Sequence, residues 1–334
     1  MKVVTLGEVM MRLAPPNLEK IVQTKQLEIH FGGSEANIAV ALAQWGMNAT
    51  HVTSFPDQAL GYAAKQHLQK YGVDTQSIVF NKGRLGLYFL EQGAALRGSQ
   101  IIYDRHGAAF AESSPTNFDW EVILEGADWL HWSGITPALS ANCTQICLQA
   151  VQKAVEKGLT VSGDIYFRSG LWQFDQTPEE VLPDLVANSH LVLADVPAMT
   201  KYLGIEIPET DTPFQKGAEA LMKKYPRIQK VVDTERISHS ANHNTIHAQL
   251  WNGEQLFQSP ILHINPIVDR IGAGDAFFAG LIYGWQAYQQ DQKALDFGIC
   301  SSALKHTFKG DVQLADVAAI ESLMKGNTSG IIKR

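Results

Sequence analysis

For most of its length this chain alternates short apolar runs with longer helical ones, and that alternation restricts the fold more than any single motif. Lys2–Leu6 and Ala49–Val52 read as strands on either side of a helix at Glu35–Trp45, and Gly61–Tyr71 reads as a second helix closed by Gly72. Asp128–Trp132 and Thr160–Asp164 read as buried strands flanking a helix near Asn142–Glu156 that stops at Gly158. His190–Ala194 and Ile228–Asp233 repeat the unit, and three helical stretches follow from Gly274 onward. Apolar strands joined by helices are covered on both faces, which predicts an α/β fold with a mostly parallel central sheet.

Two stretches break the pattern, residues 10–31 and about 78–110. Both hold short alternating strands with turns at Gly83, Gly86, Gly93 and Gly98, and no convincing helix. They interrupt early βα units, so they are expected to project from the main sheet as insertions within a single 1–334 unit. With 45% hydrophobic and 18% charged residues the chain can bury a sizeable core. A net charge of −7 leaves no electrostatic footprint for nucleic acid or an acidic membrane, so an anionic ligand must be held by local Arg side chains and helix ends. The opening Val3-Val4-Thr5-Leu6 run does not read as a signal peptide, and no apolar run is long enough to span a bilayer. Cys143, Cys147 and Cys300 make no disulfide framework, which points to a cytoplasmic location. The four-residue spacing of Cys143 and Cys147 reads as one buried helix face. His239, His243 and His247 also stand four apart, but Ser, Asn and Thr between them and the alternation through Thr245–Trp251 read as a polar hairpin rather than a zinc helix.

The chemistry is concentrated in Asp269-Arg270-Ile271-Gly272-Ala273-Gly274-Asp275-Ala276-Phe277. A small-residue turn before an apolar helix lets an anion approach bare backbone at the positive end of the helix dipole. Asp275 stands on the first turn, within reach of whatever attacks that anion. These are the parts of a phosphoryl-transfer site. A second junction, Gly32-Gly33-Ser34-Glu35-Ala36-Asn37, opens another helix, with Ser34 as its expected N-cap and Asn37 projecting from the first turn.

Taken together, the two segments resemble the signatures of the ribokinase-like carbohydrate kinases of the phosphofructokinase-B (PfkB) type. The resemblance implies a three-layer αβα sandwich whose insertions form a small β-sheet lid, often also a homodimer surface. It puts Gly33 and Asn37 under the sugar, the amides of Gly272, Ala273 and Gly274 around the transferred charge, and Asp275 in the role of catalytic base.

Further segments are similar to 2-keto-3-deoxygluconate kinases: Gly86-Leu87-Tyr88-Phe89-Leu90, Ile102-Tyr103-Asp104-Arg105-His106, Ser133-Gly134-Ile135-Thr136, Asp164-Ile165-Tyr166-Phe167-Arg168 and Leu304-Lys305-His306-Thr307. A keto-deoxy sugar acid carries a carboxylate, and guanidinium groups hold carboxylates through paired charge-assisted bonds. Arg105 and Arg168 are the candidates for that contact, Tyr88 and Tyr103 offer hydroxyls from the lid, and Asp311 is a candidate sugar contact from a C-terminal loop. The implied reaction moves the γ-phosphoryl group of ATP to the C6 hydroxyl, giving 2-keto-3-deoxy-6-phosphogluconate. Mg2+ would bridge the ATP phosphates mostly through water, since few carboxylates stand out for it. Thr234 and Arg236, with Gly272 and Gly274, are the expected nucleotide contacts, and Phe297–His306 the adenine lining. Asp269 corresponds to a residue that helps bind a monovalent cation such as K+ in this family, or else it braces the loop.

Two departures stand out. The family's Asn-x-x-Glu motif is absent at Ala194-Asp195-Val196-Pro197-Ala198, and Tyr166 replaces an expected Asn. A neutral-sugar kinase of the fructose, ribose or tagatose type, or a non-catalytic sugar-binding protein on the same scaffold, are the competing readings. A nucleotide-dependent dehydrogenase is weakest, because no Gly-x-Gly-x-x-Gly follows the first strand.

Overall fold

The structure is a computed structural model that describes residues 1–165 and 170–328. Its main sheet runs in the order Leu256–Gln258, His243–Trp251, Lys230–Ser240, Leu191–Leu193, Thr160–Asp164, Trp129–Ser133, Lys2–Leu6 and Asn48–Val52, with Leu262–Ile264 also paired to His243–Trp251. From Lys230–Ser240 to Asn48–Val52 every pairing is parallel. The pairings made by His243–Trp251 are antiparallel.

Successive side chains on a strand point to opposite faces, so this sheet builds two cores. Val3 and Val232 pack into one, against the helices Ser34–Gln44, Ala273–Tyr288 and Asp291–Lys305. Val4 and Val231 pack into the other, under the helices Ala141–Glu156, Pro178–Ala187, Val196–Leu203 and Pro213–Lys224. The result is the expected helix–sheet–helix sandwich. Cys143 and Cys147 are buried, as their spacing implied. Among the described residues no helix is long and apolar enough to cross a membrane.

A second sheet of four strands, in the order Glu28–Gly32, Met10–Ala14, Leu87–Glu91 and Gln100–Asp104, is assembled from the two insertions. One boundary differs from expectation. Val79–Asn81 does not join this sheet but pairs in parallel with Ser54–Pro56. The Phe80 ring holds it there, 4.8 Å from the Tyr62 ring on the neighbouring helix.

The strand expected at Ile228–Asp233 is longer than its apolar part. Backbone pairing with His243–Trp251 carries it on through Ser240, although positions 234 to 239 are exposed. The three histidines therefore sit on a hairpin: the His239 and His243 rings lie 4.4 Å apart, while His247 Nε2 is 3.0 Å from Glu235 Oε2. No cluster of three or more metal-ligating side chains exists among the described residues.

Candidate active site

The site forms where two helices on one face of the sheet begin side by side. Gly272 caps the helix Ala273–Tyr288 with φ 82°, a left-handed conformation in which glycine is unstrained. A side chain there would also overlap the Asp311 carbonyl oxygen, so both the dihedral and the space demand glycine. The Ala273 amide makes a long 3.4 Å turn bond to the Arg270 carbonyl, and the Cβ position of Gly274 opens onto empty space.

Asp275 is on the first turn and is held from both sides. Its Oδ1 accepts from Ser34 Oγ at 2.8 Å and its Oδ2 from Asn37 Nδ2 at 2.6 Å. Ser34 is thus not the N-cap that its position suggested. Gly33 is the cap, with no side chain to offer, and the Ser34 hydroxyl turns instead to the carboxylate. Gly33 has its own reason to be small, since the Glu8 carbonyl oxygen fills the place of a Cβ.

Behind this junction lie further carboxylates. Glu35 is fully buried, with Oε1 accepting from Ser133 Oγ at 2.7 Å and Thr136 Oγ1 at 2.6 Å. Burial outweighs those two bonds and pushes its carboxyl up to about 7. Asp164, at the end of a central strand, is pushed up to about 8 by burial and then by the charges of Asp275, Glu35 and Asp195. Its Oδ1 has no partner among the described residues. Asp233 is raised to about 6, again by burial first and by Asp195 next. Carboxylates around this junction are therefore more numerous than the sequence suggested. Asp195 is partly engaged, accepting from the Ala198 amide at 2.7 Å as the N-cap of its helix.

The lid is joined to this site by a network that the sequence did not reveal. Arg12, only 2% exposed on lid strand Met10–Ala14, donates to Asp269 Oδ2 at 2.6 Å and to Asp311 Oδ1 at 3.0 Å. Tyr88 donates its hydroxyl to Asp311 Oδ2. Two expected sugar contacts, Tyr88 and Asp311, are thus bonded to one another, because their burial requires each polar atom to be satisfied. Asp269 also accepts from the Ile271 amide at 3.1 Å through Oδ1 and from the Gly310 amide at 3.1 Å through Oδ2. These bonds tie Asp269 to its own loop, to the loop at Gly310 and to the lid. Lys305 is a second buried cation, its Nζ 3.4 Å from the Asp269 carbonyl and 3.3 Å from the Phe308 carbonyl. The only sequence signal for Arg12 was a cation inside an otherwise apolar strand.

Arg105 forms an ion pair with the buried Glu8, and its guanidinium lies 5.7 Å from the centre of the Tyr103 ring. Tyr103 itself is exposed. Arg168 and Tyr166 lie outside the described residues.

The expected nucleotide contacts Thr234 and Arg236 lie on the exposed extension of Lys230–Ser240. Arg236 and Arg270 are near enough to His306 to add to the burial that lowers its ring to about 4. Of the expected adenine lining, Phe297, Gly298, Ile299, Cys300 and Ser301 are buried between helices. They belong to a helix packed into the core.

The pfkB family carbohydrate kinase pattern matches residues 1–313. A 2-dehydro-3-deoxygalactonokinase of Haloferax volcanii is 30% identical, covering 99% of this chain and 98% of that protein. A 2-dehydro-3-deoxygluconokinase of Thermoproteus tenax is 27% identical over 96% of this chain and 94% of its own length. The crystal structure of 2-dehydro-3-deoxygluconokinase from Thermotoga maritima superposes with a TM-score of 0.93 at 40% identity, covering 98% of each chain.

Proposed function

This chain belongs to the pfkB family of carbohydrate kinases, and we propose that it transfers the γ-phosphoryl group of ATP to the C6 hydroxyl of 2-keto-3-deoxygluconate. The observation that carries the reading is the run of interactions from lid to base: Arg105 is held by Glu8, whose backbone lies on Gly33, next to the Ser34 and Asn37 that grip Asp275. A guanidinium for the acid's carboxylate and a carboxylate for its hydroxyl are thereby set on one rigid frame. The relatives named for keto-deoxy sugar acids support the same class.

Asp275 takes the hydroxyl proton as the oxygen attacks. Each carboxylate oxygen has two lone pairs, so the bonds from Ser34 and Asn37 orient the base and still leave it able to accept. The dipole at the start of its helix, with the Gly272 and Gly274 amides, faces the migrating charge. Mg2+ would neutralise the ATP phosphates; Asp164 at the end of one strand, Asp195 just past the next and Asp233 within the one after suit a contact through its water shell. Thr234 and Arg236 attend the nucleotide, and Arg168 adds a second guanidinium to the acid. We further propose that the chain acts in the cytoplasm as one catalytic unit and dimerises through the lid, where Ile29 and Ile102 are exposed.

A coupled assay of ADP release with 2-keto-3-deoxygluconate, 2-keto-3-deoxygalactonate, gluconate, fructose and ribose tests the assignment. The keto-deoxy acids should exceed the neutral sugars in kcat/KM by about 100-fold, because a neutral sugar leaves the open, buried Nε of Arg105 without an acceptor. Preference for fructose or ribose would make this a neutral-sugar kinase. Binding of the acid without ADP release would make it a sugar-binding protein.

A further inference from the structure

A buried ion pair is costly unless the remaining polar atoms of both partners are satisfied. Glu8 and Arg105 do not meet that condition. Glu8 follows the first strand of the main sheet, is 6% exposed, and accepts from Arg105 Nη2 through Oε2. Its other oxygen, Oε1, is buried without a partner among the described residues, and so is Arg105 Nε. One buried acceptor and one buried donor are thus left open within a single pair.

Their place in the fold is informative. The Glu8 carbonyl packs on Gly33, and Glu8 Oε1 lies 2.6 Å from where a Cβ on Gly86 would stand, just before lid strand Leu87–Glu91. Tyr103, from the adjoining lid strand, puts its ring beneath the guanidinium. The pair therefore sits between the glycine floor and the lid, with small residues on both sides of it.

We propose that Glu8 is a substrate-binding residue that sets specificity: Oε1 accepts a hydroxyl of the sugar acid, while Oε2 holds Arg105 so that Nε and the guanidinium edge meet the acid's carboxylate. The inference rests on the sugar-acid reading and deepens it. A polyhydroxy acid carries the required donor and acceptor on one short chain. An ionised carboxylate accepts only, so Glu8 selects for a hydroxyl at its position and against a second acid group. Because Glu8 neutralises Arg105, the pair discriminates by hydrogen-bond geometry more than by net charge.

The test is steady-state kinetics of Glu8→Gln with 2-keto-3-deoxygluconate and ATP varied separately, beside thermal melting without ligands. The amide keeps the size of the side chain but turns one acceptor into a donor. The expected result is a KM for the sugar acid raised about 10- to 100-fold, as for a buried polar group left unpaired, with kcat and the KM for ATP within about threefold. Glu8→Asp, which keeps the charge and shortens the reach, should give a smaller rise in the same constant, and it decides the matter if Glu8→Gln does not fold. An unchanged KM for the acid overturns the proposal. So does a lowered melting temperature with kcat and both KM values affected together, the signature of a brace. Wild-type turnover of the acid with Glu8→Gln unaltered would remove Glu8 alone; wild-type turnover confined to neutral sugars would remove the sugar-acid reading and this one with it.

Discussion

The proposed sugar side and the proposed nucleotide side of this site are built differently. Around the proposed sugar site, Arg12, Asp269, Asp311 and Tyr88 are buried and bonded into one network across the lid and the main body, and the buried Glu8 pairs with the part-buried Arg105. On the nucleotide side, Thr234 to His239 lie exposed on an extended hairpin, with few side-chain ties. The contrast shows where geometry is fixed before substrate arrives. The acceptor is met by a preorganised frame, and the nucleotide by a surface that it must help to order.

The hardest blow to that frame is removal of the base. Asp275→Asn should fold normally by circular dichroism yet lose about 10²- to 10⁴-fold in kcat; near-normal turnover would take Asp275 out of the reaction. Next comes the lid network. Arg12→Met leaves Asp269 and Asp311 as buried, uncompensated charges and should lower stability by about 3–5 kcal/mol in urea unfolding. If it unfolds at the wild-type midpoint, the lid is not fastened through Arg12.

Glu35 probes the frame through pH. Its carboxyl is held near 7 in the folded protein against an ordinary value of 4.5, so folding takes up a proton between these values. Its protonated form favours folding fully below about 4.5, and that benefit is lost as the pH rises through about 7. Glu35→Gln should therefore flatten the decline in stability between pH 5 and pH 8 by up to about 3 kcal/mol. An identical slope in the variant would show that Glu35 titrates normally. Ser34→Ala keeps the Asn37 bond to Asp275, so a drop of about tenfold in kcat with unchanged KM is expected, in line with one hydrogen bond. Arg236→Ala, on the open side, should raise the KM for ATP by about three- to tenfold and leave the acid's KM alone. A larger effect there than at Ser34 would reverse the contrast drawn above.

The same division governs what could be read from the sequence. Gly272 and Asp275 were legible because small residues beside an acid at a helix start are a local pattern with a local cause. The alternation of apolar strands and helices likewise foretold the sandwich. Ser34 was misassigned because a serine before a helix has a local use as a cap, while its actual partner Asp275 is 241 positions away. Arg12 and Tyr88 meet Asp311 across 299 and 223 positions, and no periodicity signals such a pairing. The stretch from Phe297 to Ser301 shows the opposite case, since resemblance pointed to a cleft and the structure buries the stretch in a core helix.

Gly272 has a partner that matters beyond catalysis. The carbonyl of Asp311 presses on the turn where a methyl group would stand, and Asp311 follows every described strand and all but the last described helix. A nascent chain halted before that position would own the complete sheet and the base, yet lack the mould against which the phosphate turn sets. Synthesis must pass Asp311 before that turn can take its final shape.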